Sequence, residues 1–129
     1  MIGIDMTFTV LGEPASKSNS RKSVLINGVP RFIKSKKALG YVAVFAKQCP
    51  QVVPTYGGDV AVEMAIIYAS RRPDLDESLI LDCMQGVIYV NDRQVKEKHI
   101  HWGLDRLNPR TIIRVRSLPE GWAVPDHLT

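Results

Sequence analysis

The segment DVAVEMAIIYASRRPDLDESLILDCMQGVIYVNDRQV, residues 59 to 95, is the stretch from which we predict the fold. Residues 59 to 70 alternate in polarity and then become almost wholly apolar, which is typical of a strand in the middle of a sheet. The apolar run VIYV, residues 87 to 90, predicts a second, shorter strand. The polar stretch RRPDLD interrupts the apolar pattern between them and predicts a loop.

A short helix is predicted after this loop, over residues 77 to 85. Asp76 can cap its first turn, because a carboxylate oxygen can accept a hydrogen bond from a free backbone N–H there. Gly86 stands where a helix commonly ends, since glycine adopts the left-handed conformation without strain. The apolar side chains that this helix would bury are Leu79, Ile80 and Met84.

The chain before this segment predicts a strand, a loop and a hairpin. MTFTVL, residues 6 to 11, alternates as a strand does, and the polar sequence GEPASKSNSRKS that follows is typical of a loop. VLINGVPRFI reads as a β-hairpin, because Asn27 and Gly28 both tolerate the positive φ of a type I′ turn. Pro30 cannot donate a backbone hydrogen bond and restricts its strand to an edge or an irregular position.

A longer helix is predicted over residues 36 to 49, with Ser35 as its cap and Pro50 at its end. Its apolar side chains recur at spacings of three and four, which places them on one face. They are Leu39, Val42, Phe45, Ala46 and Cys49.

Two further strands, QVKEKHIHW and RTIIRVRSL, follow the central segment, and residues 119–129 form an irregular tail. We therefore expect a single domain over residues 1–129 of the α+β class. Its mixed sheet would contain about five or six strands packed against two helices.

Length and composition exclude several classes of protein. A chain of 129 residues can bury a core of its own without disulfide or metal staples. There is no apolar run long enough to span a membrane, and the first residues lack the features of a secretory signal. Cys49 and Cys83 are interpreted as free buried thiols, because they lack the spacing of a metal site. These features favour a cytoplasmic protein, with no membrane partner and no organic cofactor.

The charges are distributed unevenly along the chain. The net charge is only +4, but no acidic residue lies between Glu13 and Asp59. A basic surface of this kind is typical of a protein that binds nucleic acid, although a solvated basic face is the other explanation. The residues that we expect to contact a DNA backbone here are Lys17, Arg21, Lys22, Arg31, Lys34, Lys36 and Lys37.

Asp74, Asp76 and Asp92 are the candidate catalytic residues. If the strands before Asp74 and Asp92 lie side by side, the three carboxylates meet at one edge of the sheet. They would then repel each other unless a cation lies between them, and their hard oxygen atoms suit Mg²⁺ or Mn²⁺. Arg71 and Arg72 could hold phosphates beside that ion. Taken singly, the acids also fit a helix cap and a turn, and the arginines fit solvated side chains.

Four motifs in this region resemble the RusA family of Holliday-junction resolvases, many of which are phage-encoded. They are RPDLD at 72 to 76, LD at 81 to 82, GVIY at 86 to 89 and DRQV at 92 to 95. The N-terminal half is similar too, with a strand, the loop GEPASKSNSRK and a basic hairpin. The resemblance extends over about residues 6 to 117.

This resemblance implies a homodimeric, Mg²⁺-dependent endonuclease that makes paired symmetric nicks in four-way DNA junctions during recombination and repair. In such an enzyme Asp74, Asp76 and Asp92 hold the metal. Asp82 corresponds to an acid of the family's helix and would have a supporting role. Glu77 either contacts the metal or serves only the helix dipole.

The chain departs from the family at one point. The better-known members carry a lysine in the helix that is important for cleavage, and the helix predicted here has none. Lys17, Lys96 and Lys98 are candidates to replace it. The alternatives that remain open are a nuclease for flaps or forks and a non-catalytic junction-binding protein.

Overall fold

The computed structural model describes residues 3–129. Over these residues it contains six strands and two α-helices. In order, they are β1 (Asp5–Leu11), β2 (Arg21–Ile26), β3 (Val29–Lys34), α1 (Lys36–Gln48), β4 (Val60–Tyr68), α2 (Glu77–Met84), β5 (Val95–Leu104) and β6 (Arg110–Ser117). Three single turns of 3-10 helix cover Lys17–Asn19, Asp92–Gln94 and Asp126–Leu128. Over residues 3–129, no helix is long and apolar enough to cross a membrane.

Four of the strands form one mixed sheet in the order β1-β6-β4-β5. β4 and β5 are parallel, whereas β6 runs antiparallel to both β1 and β4. β2 and β3 form a separate two-stranded ribbon, joined by the predicted Asn-Gly turn with φ of 52° at Asn27 and 76° at Gly28. The α+β class and the two helices are confirmed, and the six strands are divided between two sheets.

The core lies on one face of the main sheet. Alternate residues of β4 are buried there, and they pack with α1 and α2 into one cluster. This face of β4 consists of Val60, Val62, Met64, Ile66 and Tyr68. The opposite face is more open, and Glu63 is exposed on it. The two helices therefore cover the buried face of the main sheet.

The predicted apolar face of α1 is confirmed at Phe45, which is buried, and at Val42 and Cys49, which pack half-buried against the core. It is wrong at Leu39, which is 56% exposed, and at Ala46, which is also exposed, because the helix buries Ala38 and Tyr41. Phe45 fixes the rotation of α1 about its own axis. The centroid of its ring lies 6.2 Å from that of Phe8 and 6.1 Å from that of Tyr41. The cap was predicted correctly, since the Ser35 hydroxyl accepts a hydrogen bond from the Ala38 backbone N–H at 3.1 Å.

The run VIYV is not a strand, and that prediction was wrong. After α2 the chain turns, with the Gly86 N–H donating to the Tyr89 carbonyl at 2.7 Å. Tyr89 is buried, and its hydroxyl donates to the Leu81 carbonyl at 2.7 Å. Ile88 is also buried. These apolar side chains are therefore core anchors of a tight turn between α2 and β5.

Other expectations concern the cysteines and the tail. Cys49 and Cys83 are free and half-buried. Burial raises the pKa of each thiol to about 11. The tail has no strand or α-helix, and Trp122 fixes it by donating from Nε1 to Asp59 Oδ2 at 3.1 Å.

Candidate active site

The RPDLD loop connects the end of β4 to the start of α2, and two aromatic side chains hold it. The Tyr68 hydroxyl donates to the Asp74 carbonyl at 3.1 Å, and the Trp102 indole N–H donates to the Pro73 carbonyl at 3.0 Å. Burial raises the pKa of Tyr68, so that its hydroxyl remains a donor. Because both contacts are to the backbone, the Asp74 side chain is left exposed at the surface.

Asp76 is the one buried acid of the site. It stands at the N-cap position of α2, but its side chain makes no capping hydrogen bond, contrary to its predicted capping role. Its carboxylate accepts hydrogen bonds from the Ser20 hydroxyl and, at 2.6 Å, from the Ser78 hydroxyl. Each carboxylate oxygen has a second lone pair, so these bonds fix the group and leave it able to accept another ligand.

Asp82 and Asp92 face a common cavity of about 340 Å³ between α2 and the start of β5. The cavity, called here the acidic groove, is lined by Ser78, Leu81, Asp82, Asp92, Arg93, Val95 and Lys98. Because Ser78 also binds Asp76, the groove begins next to the buried acid. Asp82 lies 3.9 Å from the Arg21 guanidinium of the ribbon.

A capping box sets the position of Asp92. The Asn91 side chain accepts from the Arg93 N–H at 2.9 Å, while the Gln94 side chain accepts from the Asn91 N–H at 2.8 Å. Gln94 also donates to the carbonyls of Tyr56 and Gly58. These supporting residues were not predicted, although Asn and Gln three positions apart are a recognisable signal of a capping box.

Lys98 is the lysine of the acidic groove. Its Nζ lies 3.0 Å from Glu77 Oε1 in the first turn of α2. Burial alone would raise the pKa of Glu77, but a backbone hydrogen bond and the Lys98 ammonium outweigh it and lower that pKa below its ordinary value. Glu77 is therefore engaged with Lys98, and α2 has no basic residue of its own.

The expected meeting of three carboxylates at one sheet edge is not observed. β4 and β5 are parallel, with Val60 beside Val95 and Tyr68 beside Leu104. Asp74 follows the end of β4, whereas Asp92 precedes the beginning of β5, so the two lie toward opposite ends of this strand pair. Within residues 3–129, no three Asp, Glu, His or Cys side chains form a group that could hold a metal ion. The predicted geometry was wrong because it depended on VIYV being a strand.

The predicted DNA-contacting residues are mostly exposed. Arg72 and Lys37 line a second polar cavity, of about 290 Å³, together with Glu13, Ser16 and Ser18. The Glu13 carboxylate in it accepts a hydrogen bond from the Ala69 backbone N–H at 2.7 Å. Arg21 pairs with Asp82, and Lys34 is half-buried at the end of β3. The remaining residues are exposed: Lys17, Lys22, Arg31, Lys36 and Arg71.

The buried Asp76 in the RPDLD loop, the acids of α2 and the exposed basic side chains are features that suit a protein acting on nucleic acid. A family model described as Endodeoxyribonuclease RusA matches residues 12–116. The chain therefore belongs to the RusA endodeoxyribonuclease family. A comparison with curated proteins found no match.

Proposed function

We propose that this chain is a divalent-metal-dependent endonuclease that resolves four-way DNA junctions by paired symmetric nicks, acting in the cytoplasm in recombination and repair. The observation that carries the proposal is the environment of Asp76. Two hydroxyls immobilise this buried carboxylate beside the acidic groove, in the RPDLD loop of a chain that belongs to an endodeoxyribonuclease family.

The acids fit a hard divalent cation. Mg²⁺ is commonly bound through only one or two carboxylates and keeps several of its waters. Asp74 and Asp76 would hold the ion, with Mn²⁺ able to substitute. Bound there, it would activate water and stabilise negative charge on the phosphodiester. Asp92 lies in the acidic groove with Asp82, and its role as a ligand remains a prediction that Asp92→Asn tests.

The basic side chains would hold the DNA on both sides of these acids. Arg72 and Lys37 share a polar cavity in which a backbone phosphate could be bound, and Arg71 is exposed next to them. Lys98 places a positive charge in the acidic groove, held there by Glu77. We propose that Lys98 replaces the missing helix lysine and faces the phosphate that is cut. The products would carry 5′-phosphate and 3′-hydroxyl ends.

The two-fold symmetry of the cuts in a four-way junction favours a homodimer. A four-way junction has to be cut in two strands of the same polarity to give ligatable duplexes, which requires two equivalent active sites. A two-fold dimer supplies these in the simplest way. Sedimentation of the free chain and of its junction complex measures this directly.

Asp76→Asn tests the proposed site, because it removes the charge and preserves the shape. We expect cleavage of a labelled junction in Mg²⁺ to be lost, with junction binding retained or tighter. Asp126→Asn, in the tail, is the matched control and should cut as the wild type does. An Asp76→Asn chain that still cuts would show that the site has been assigned wrongly. If the wild-type chain cuts flaps or forks in preference to junctions, it is a flap or fork nuclease and not a junction resolvase.

A further inference from the structure

The β2–β3 ribbon exposes apolar side chains for which the nuclease site gives no reason. Cross-strand partners share a face of a ribbon, and successive residues alternate between faces. One face therefore contains the pairs Arg21 with Lys34, Ser23 with Phe32, and Leu25 with Pro30. We call this the wedge face.

Leu25 and Phe32 are the most exposed apolar residues of the ribbon, at 74% and 77%. Val24, on the opposite face, is half-buried, and the exposed apolar residues there are less accessible than this pair. A two-stranded ribbon is marginally stable alone, and large apolar side chains held in water are typical of a binding surface. The wedge face therefore has the features of a binding surface.

The charges of the wedge face indicate what covers it. Arg21 and Lys34 lie directly opposite each other, and no acidic residue occurs between Glu13 and Asp59. Among the described residues, the one acid within 4 Å of either cation is Asp82, 3.9 Å from Arg21. A nucleic acid would neutralise both cations with its phosphates and offer its bases to the apolar pair.

We infer that Leu25 and Phe32 form a wedge that inserts between bases at the branch point of the DNA. This inference rests on the proposed function. Proteins that insert apolar side chains between base steps flank them with basic residues, as here. Bases at a branch point are also less costly to unstack than those inside a continuous duplex.

The position of the ribbon supports this role. Its root is fixed at the acids, because Arg21 approaches Asp82 at 3.9 Å and Ser20 binds Asp76. A strand rises about 3.4 Å per residue, so Phe32 and Leu25 lie roughly 7 and 14 Å along the ribbon from that root.

The test uses a junction with 2-aminopurine at the branch point, a base whose fluorescence increases when it unstacks. Wild-type chain in EDTA, where no metal supports cleavage, should increase the fluorescence on binding. The double variant Leu25→Ala, Phe32→Ala should lose most of this increase and bind the junction about 10- to 100-fold more weakly, since stacking on an aromatic ring is worth about 1–3 kcal/mol per base. Its affinity for linear duplex should be unchanged.

Leu107→Ala is the matched control, because Leu107 is 95% exposed in the loop between β5 and β6. It should behave as the wild type does. Leu25 and Phe32 are also exposed, so the double variant should keep the wild-type melting temperature, which separates loss of the wedge from loss of the fold.

Each contrary outcome has a distinct meaning. A double variant that keeps the fluorescence change and the affinity overturns the wedge. A double variant that becomes monomeric while the wild type is dimeric shows that a second copy covers this face, and also overturns it. Wild-type chain that cuts junctions without a fluorescence change rejects the wedge and leaves the nuclease standing. Wild-type chain that neither binds nor cuts junctions rejects the proposed function.

Discussion

The ammonium nitrogen of Lys98, on β5, lies 3.0 Å from Oε1 of Glu77 in the first turn of α2. This contact joins the two elements that enclose the acidic groove, and it brings a lysine to a helix that contains none. The residues are 21 positions apart in sequence. Lys98 therefore places a positive charge beside the first turn of α2, which has no basic residue of its own.

Lys98→Ala should slow junction cleavage on the order of 100-fold, which is the usual cost of removing one group that stabilises developing charge. Junction affinity should change little, because the exposed basic residues supply most of the phosphate contacts. Single-turnover cleavage and gel retardation measure the two effects separately. Lys96→Ala, two residues away on β5, is the matched control. If Lys98→Ala cleaves the junction at the wild-type rate, this lysine has no part in the mechanism.

Replacing Lys34 and Lys36 by alanine should weaken binding to every DNA sequence equally. Each phosphate contact removed lowers the slope of log affinity against log salt by about 0.9, so the slope should fall by about 2. The slope is measured by titrating a labelled junction at several salt concentrations. Lys47→Ala, in the last turn of α1, should leave it unchanged. If the slope of the Lys34, Lys36 double variant equals that of Lys47→Ala, the DNA-binding surface lies elsewhere.

Tyr89→Phe should lower the free energy of unfolding by about 1 to 2 kcal/mol, because it leaves the buried Leu81 carbonyl without its hydrogen bond. Urea unfolding followed by circular dichroism measures the change. Tyr56→Phe is the control, since Tyr56 holds the same turn through its backbone N–H, which donates to the Ile88 carbonyl at 2.8 Å. Equal stability of the two variants would show that the Tyr89 hydroxyl does not anchor the turn.

The two thiols should react slowly with alkylating reagents. Burial raises the pKa of Cys49 and Cys83 to about 11, against an ordinary value near 9, and only the thiolate reacts. At pH 8 the folded chain should therefore be labelled about 100-fold more slowly than the chain unfolded in urea. Mass spectrometry of iodoacetamide-treated samples measures both rates. Labelling at the same rate in both states would contradict the burial of the thiols.

Local patterns in the sequence predicted most of the elements. Asn27 and Gly28 required a tight hairpin turn, and the long apolar run required β4 to be central. Ser35 and Pro50 delimited α1. VIYV was misread because a run of four apolar residues fits a strand and a buried turn equally well. Only the position of Tyr89 against α2 distinguishes the two.

The candidate residues could be chosen from the sequence, but their arrangement could not. The RPDLD motif pointed to Asp74 and Asp76, but no local signal showed that the strand after Asp92 is parallel to β4. The direction of that strand moves Asp92 toward the other end of the pair from Asp74. The contacts of Asp76 with Ser20 and of Glu77 with Lys98 join distant parts of the chain and follow from the tertiary fold alone.

The most direct test of the central claim is a cleavage assay on a labelled four-way junction, with linear duplex and flap controls, in Mg²⁺ and in EDTA. We predict paired symmetric nicks in the junction alone, in Mg²⁺ and not in EDTA. Retardation of the junction without any cutting in Mg²⁺ or Mn²⁺ would contradict the account and identify a protein that binds junctions without cleaving them.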